Sequence, residues 1–340
     1  MRLMAVPFPL PVALLSVAML AACGGGSTGP LSAVPAQAPA HAALSGGSPE
    51  RAAPLANCTA TRRARSKAVA PPGATYLYVV DGCGNAIDVL QAGTYNELGY
   101  ISVPGSYVPS DIFLDLNGNL YTNAGPAVYE YAAGNWGAPN FTYTANIKQA
   151  SAVTTDRRGN VYEGDLGYIN EYYQNRNVAI ATCSAINAGD NGQIDGVAVD
   201  SHGNVFVNVD DFTTGSKELV EYVGGLNNCQ TLTVLPVPSP AIGTGMAVDK
   251  SGNLLLPNGG TVEIVDAPSY NAINATIGSG FSCAQNVRLT RGNYLAFVTD
   301  VCKDTVTAVK YKTGANVIVL GTAYGISQPF AAVEQPNAVY

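Results

Sequence analysis

The sequence predicts an all-β chain folded as a six-bladed β-propeller, with four antiparallel strands per blade and the C-terminal strand completing the N-terminal blade. Three observations carry this expectation. A phrase Asp-x-x-Gly-Asn followed by two apolar or aromatic residues recurs at Asp115–Asn119, Asp156–Asn160, Asp200–Asn204 and Asp249–Asn253, with Asp-to-Asp steps of 41, 44 and 49 residues. A period of that length marks a repeat architecture. Each copy sits between apolar stretches and is followed by two more, which makes four strands per unit, the signature of a propeller blade. Finally, Tyr76–Val80 reads as a second strand with no first strand ahead of it, and Phe330–Val333 as a first strand at the other end of the chain.

The recurring phrase is a hairpin turn. Its Asp is suited to accept backbone N–H groups just ahead, which stabilises a type I turn, and its Gly supplies the positive φ that joins the turn to the next strand. First strands are expected near Ser110, Ser151, Asp195, Thr244, Ala284 and Pro329. Third strands follow at Ile87–Leu90, Val128–Tyr131, Ile169–Tyr172, Leu219–Tyr222, Val262–Val265 and Val306–Val309. Fourth strands include Val178–Thr182 and Thr231–Leu235. Low charge (12%) and 37 glycines suit short strands joined by many turns.

Ahead of the repeats the chain changes character. Residues 1–22 read as a signal peptide: Arg2 precedes the apolar run Val12–Leu20, too short for a spanning helix. The run ends Leu20-Ala-Ala-Cys23 followed by Gly24-Gly-Gly-Ser, which resembles the bacterial lipobox, in which the Cys becomes the lipidated first residue. This implies a membrane anchor through Cys23 in the cell envelope, and the absence of Asp after Cys23 implies the outer membrane in a diderm cell. Residues 23–72, rich in Gly, Ala, Pro and Ser, read as a flexible tether. Its basic run Arg62-Arg-Ala-Arg65-Ser-Lys67 is read as a solvated charge run. Residues 73–340 carry 11 Lys and Arg against 23 Asp and Glu, a formal net charge of −12. A body with that balance and no basic stripe is not expected to bind nucleic acid.

Six cysteines besides Cys23 in an exported chain imply three disulfides. Cys283 and Cys302 are equidistant from the turn at Arg291–Asn293, so they face each other across a hairpin. Cys83 follows its strand in the same way and has no hairpin partner, which leaves Cys58 for it. Cys183–Cys229 is what remains. No Cys-x-x-Cys occurs and both histidines are isolated, so neither carries a metal site.

Residues 73–340 resemble the NHL-type and gluconolactonase-like six-bladed propellers, with Asp81-Gly-Cys-Gly-Asn85-Ala-Ile87 standing where the NHL phrase Asp-x-x-x-Asn-Arg-hydrophobic would be and Ala86 in place of its Arg. With the hairpin turns on one face, the second strands end on the other, at Asp81, Asn123, Asp165, Asp210, Asn258 and Asp300. The first strands add Ser110, Asp111, Ser151, Asp195, Thr244 and Gln285 near the channel. Oxygen ligands of this kind suit Ca²⁺ or another hard divalent cation. Asp81, Asp111, Asp165, Asp195, Asp210, Asn258 and Asp300 are therefore the candidate ligand or metal face. The gluconolactonase resemblance implies a metal-dependent lactonase or esterase using Asp111, Asp195, Asn258 and Asp300, but no Glu begins a first strand as in that family. The propeller's single histidine, His202, sits in a hairpin turn on the far face, and no Gly-x-Ser-x-Gly elbow occurs within residues 73–340. The sequence thus favours a non-catalytic, lipid-anchored binding or scaffold module for a protein, peptide or glycan, with the metal-dependent hydrolase as the rival. Tyr131, Tyr172, Tyr173 and Tyr222 are read as packing between blades.

Overall fold

The computed structural model describes residues 74–336 except 186–191, 213–214, 230–231 and 239–242. The expected signal peptide and tether, with Cys23 and Cys58, lie outside the described residues. Six four-stranded antiparallel sheets follow one another along the chain. Blade 1 pairs β1 (Tyr76–Asp81), β2 (Ala86–Gln91) and β3 (Glu97–Ser102), and blade 2 holds β4 (Ile112–Leu114), β5 (Leu120–Asn123), β6 (Val128–Tyr131) and β7 (Phe141–Tyr143). Blade 3 holds β8 (Ala152–Thr155), β9 (Val161–Gly164), β10 (Tyr168–Tyr172) and β11 (Ala179–Ser184). Blade 4 holds β12 (Gly192–Val199), β13 (Val205–Asp211), β14 (Ser216–Tyr222) and β15 (Leu232–Val234). Blade 5 holds β16 (Ala247–Val248), β17 (Leu254–Asn258), β18 (Thr261–Val265) and β19 (Ile273–Ile277). Blade 6 holds β20 (Ala284–Leu289), β21 (Leu295–Asp300), β22 (Thr305–Lys310) and β23 (Asn316–Leu320). The last strand, β24 (Pro329–Glu334), returns to blade 1 and pairs with β1, Tyr78 opposite Val333 and Val79 opposite Ala332. The expected closure is therefore present.

The core is distributed between the blades. Six apolar clusters exist, one for each pair of neighbouring blades; the cluster of Leu77, Val79, Phe297, Val306 and Ala332 fills the seam between blades 6 and 1. Alternation along each strand explains this, because side chains at i and i+2 face one neighbouring blade and those between face the other. Strands buried on both faces then read as near-continuous apolar runs.

Each Asp-x-x-Gly-Asn turn is built the same way. In the first, Asp115 Oδ1 accepts the backbone N–H of Asn117 and of Asn119, each at 2.8 Å, and Gly118 adopts φ +80°. The final Asn does more than the sequence suggests. Asn119 Nδ2 donates to Asp115 Oδ2 at 2.8 Å, and its Oδ1 accepts the N–H of Ala133 in the loop before the outer strand. Asn204 and Asn253 repeat both contacts, receiving Gly224 and Ala267. In these three copies one Asp–Asn pair fastens two loops of a blade together, and in the fourth Asn160 Nδ2 donates to Asp156 and to Glu171.

Three of the four tyrosines pack between blades as expected. Tyr131, Tyr172 and Tyr222 are fully buried, and each hydroxyl donates to a carbonyl near the end of the preceding blade's outer strand: Ser102 at 3.3 Å, Ala145 at 2.5 Å and Ser184 at 2.9 Å. A buried Tyr needs such a partner. Tyr173 differs; it is 47% exposed. Two disulfides match the expected pairs, Cys183–Cys229 and Cys283–Cys302, with Cα separations of 5.3 and 5.4 Å. Cys83 is disulfide-bonded as well, while its expected partner Cys58 lies outside the described residues.

Candidate functional site

The face opposite the hairpin turns gathers the polar ends of the second strands. Asp165 accepts the N–H of Lys148 at 2.7 Å, of Gln149 at 2.6 Å and of Leu166 at 2.8 Å. Asp300 accepts Ser282, Cys283 and Cys302 at 2.7, 3.0 and 3.2 Å. Asn123 Oδ1 accepts Ser110 and Asp111 at 3.3 and 2.7 Å, and its Nδ2 donates to Ser110 Oγ at 2.6 Å. In each case the side chain ties down the connection entering the same blade's inner strand. Asp81 Oδ1 accepts Cys83 N at 2.8 Å, and Asn258 donates to Glu263 at 2.9 Å. Amide donors of this kind occupy a carboxylate's acceptor positions.

The inner strands link the blades to one another. Ser110 Oγ donates to the Ser151 carbonyl at 3.2 Å, Ser151 Oγ to the Ile194 carbonyl, and Gln285 Nε2 to Thr244 Oγ1 at 2.9 Å. Asp111 reaches furthest. Both its oxygens lie 2.6 Å from Arg288 Nη2, Oδ1 also accepts Asn286 Nδ2 at 2.9 Å, and Oδ2 accepts Val153 N at 3.0 Å. Arg288 in turn donates Nε to the Ile112 carbonyl at 3.2 Å and Nη1 to the Met246 carbonyl at 2.6 Å. The guanidinium lies 5.3 Å from the Phe113 ring centroid and is 2% exposed. One arginine therefore pins blades 2, 5 and 6 across the central channel, over a small hollow lined by Phe113, Thr154, Val199, Met246, Val248 and Leu289. Gly245 is required beside this pin, since a Cβ there would lie 2.0 Å from Asn286 Nδ2.

Asp195 and Asp210 are the two candidate residues that share a partner. Lys217, on β14, lies 2.9 Å from Asp195 Oδ2 and 3.5 Å from Asp210 Oδ2. The register places Lys217 opposite Asp210, and the bulge between Ile194 and Gly196 turns Asp195 toward them. Asp195 is fully buried, and its Oδ1 has no hydrogen-bond partner among the described residues. Burial pushes its carboxyl up to about 7, opposed by Lys217 and reinforced by the charge of Asp210. Burial works to lower the Lys217 ammonium, but the two carboxylates outweigh it and the net direction is up. In blade 3, Glu163 is held well above the carboxylate range by burial and then by Asp165, with Asn170 donating to it at 2.9 Å.

A pH dependence follows. From the ordinary value of 3.8 up to about 7, folded Asp195 keeps a proton that the unfolded chain releases. Its contribution to stability is complete below about pH 4 and is lost as pH rises through about 7. Asp195→Asn is expected to flatten the melting temperature against pH between about pH 4 and 7. Glu334, which burial pushes up to about 7 on the hairpin face, and Glu163, which burial also holds well above the carboxylate range, contribute residual slope, and an unchanged profile in the double variant Asp195→Asn/Glu334→Gln would count against both of the substituted assignments.

The structure thus brings together Asp195 with Asp210, and Asp111 with Arg288, while Asp81, Asp165, Asn258 and Asp300 serve separate connections. Among the described residues, the one set of three His, Cys, Asp or Glu ligand atoms within 4.8 Å of one another is Cys283, Asp300 and Cys302, and both of its cysteines are in a disulfide. Sequence reading missed Arg288, Asn286, Lys217 and Glu163. An arginine inside the run Ala284–Leu289 was the available signal, because a charge on an inner strand requires a buried partner.

No protein-family model matches the chain, and no curated protein sequence matches it. Solved structures do. A chain in the crystal structure of a nidogen/laminin complex aligns with a TM-score of 0.59 at 14% identity, over 76% of this chain and 98% of that one. A protein of unknown function from Bacteroides caccae aligns with a TM-score of 0.59 at 13% identity, over 77% and 99%. At such identities the shared property is the fold.

Proposed function

We propose that this protein is a lipid-anchored propeller of the cell envelope, held through Cys23 and, in a diderm cell, placed on the outer membrane, where it acts as a binding or scaffold module for a protein, peptide or glycan. One observation carries the choice of a binding module over a hydrolase. Asp81, Asn123, Asp165 and Asp300 hold the backbone of their own connections, and Asp111 is committed to Arg288. Groups engaged in this way rigidify a display surface and have few lone pairs left for a metal or a reacting proton. The anchor reading rests on Leu20-Ala-Ala-Cys23.

The test has two arms. Expressed with its own leader in a bacterial cell, the protein should incorporate labelled fatty acid and lose both label and membrane association in Cys23→Ser. The purified propeller should then retain one partner or glycan class from envelope extracts at stoichiometric level. Hydrolysis of lactones or esters at enzyme-like rates, with one divalent ion bound per chain, would overturn the binding reading in favour of a gluconolactonase-type hydrolase.

A further inference from the structure

The net charge of the body hides how that charge is arranged. No described Asp or Glu is exposed; each is buried or half-buried, and most serve as clamps for turns and connections. Most Lys and Arg side chains, in contrast, are exposed, and they are unevenly placed. Arg157, Arg158, Lys250 and Arg291 occupy tips of the hairpin turns, and Arg176 and Lys312 lie in neighbouring loops on the same face. The opposite face has exposed Lys148 and Lys303. The carboxylates of the hairpin face are drawn inward: Asp115, Asp200 and Asp249 are no more than 5% exposed, and Asp156, Glu97, Glu221, Asp266 and Glu334 are half-buried.

The same face carries exposed apolar groups beside those cations. Tyr294 is 77% exposed next to Arg291, Leu116 is 46% exposed at a turn tip, and Val223 is 51% exposed after β14. Tyr173, also on this face, lies 5.6 Å from the Arg176 guanidinium. Exposed Tyr and aliphatic side chains interleaved with Lys and Arg form the composition that sits at a bilayer interface, with the rings at headgroup level and the cations on phosphates.

The chain also enters the ring here. β1 begins at Tyr76 on the hairpin face, and the Thr75 carbonyl accepts the N–H of Ala92 in the loop joining β2 to β3 on that side. The segment that carries Cys23 therefore joins the propeller at the face whose exposed charges are cationic and stand beside exposed apolar groups.

We infer that the hairpin face docks directly on an anionic phospholipid surface, so that the propeller lies with its turns on the membrane and presents the opposite face to its partner. This deepens the anchored-module reading above and rests on it for the identity of the membrane. The contact itself depends only on the side chains of the hairpin face. Each Lys or Arg held near an anionic surface adds to binding, and salt weakens the whole.

The experiment uses the chain from residue 24 to 340, which keeps the whole ring and the basic run at Arg62–Lys67 but has no lipid. Sedimentation with vesicles of phosphatidylcholine containing phosphatidylglycerol should carry the protein down, vesicles of phosphatidylcholine alone should not, and 0.5 M salt should release it. The quadruple variant Arg157→Gln/Arg158→Gln/Lys250→Gln/Arg291→Gln should bind at least about tenfold more weakly, and Tyr294→Ser should weaken binding further. The control Lys148→Gln/Lys303→Gln, on the opposite face, should bind like the parent, and all variants should keep the parental melting temperature. Equal binding of the quadruple variant and the parent, or no binding of the parent to anionic vesicles, would overturn the inference. Failure of Cys23 to carry lipid would remove the anchor reading and leave this result standing.

Discussion

Arg288→Met is expected to lower the melting temperature by about 10 °C or more. The reason is the charge left behind. Asp111 is fully buried, and in the native ring its two oxygens share Arg288 Nη2 at 2.6 Å. Removing one partner of a buried ion pair leaves an uncompensated charge and costs about 3–5 kcal/mol. In a domain of this size about 1 kcal/mol corresponds to roughly 2–4 °C. The carbonyls of Ile112 and Met246 lose their donors as well. The double variant Asp111→Leu/Arg288→Met should recover much of the loss, since replacing both members of a buried pair by apolar groups is often close to neutral. Thermal unfolding of the two single variants and the double completes a cycle. If Arg288→Met melted like the exposed substitution Lys303→Met, the pin across the channel would not be a stabilising element.

Removal of residues 328–340 should be comparably severe. β24 supplies the innermost strand of blade 1, with Ala331, Ala332 and Val333 fully buried and Phe330 nearly so. Burying side chains such as Phe and Val contributes about 1.5–3 kcal/mol each. The deletion also exposes the edge of β1, whose backbone groups pair with β24 in the native ring, and an open strand edge invites pairing with other chains. We expect a drop of at least about 10 °C and self-association visible by light scattering. A synthetic peptide of residues 328–340 added in trans should restore part of the stability. A truncated protein that stays monomeric and melts as the full chain does would show that β24 does not close the ring.

Much of this fold is legible in the primary sequence, for a physical reason that holds at particular residues. Asp115, Gly118 and Asn119 act within one turn, so the phrase they form is a local object with local consequences. Its four copies set the repeat length, and the six first-strand starts from Ser110 to Pro329 give the blades. The unpaired second strand at Tyr76 and the spare first strand at Phe330 give the closure, because a strand pattern without a neighbour demands one. Cys283 and Cys302 could be paired because a hairpin fixes its own register.

The candidate site was less legible. Asp111 could be named from its place on an inner strand, but its partners Asn286 and Arg288 lie about 175 residues away and meet it only because the ring closes. Lys217 reaches Asp195 through a bulge that no pattern announces. Asp165 and Asp300, named as candidate oxygen ligands, hold backbone amides, a use that depends on where the incoming connection runs.

Charge shows the same division. From residue 73 onward the sequence by itself determined a body with a formal net charge of −12, six units and their turns, all of which are sums or short-range patterns along the chain. Only the tertiary structure decided that the carboxylates turn inward to clamp loops while Arg157, Lys250 and Arg291 stand on one exposed face, because burial and facing are properties of a side chain's position in the closed ring.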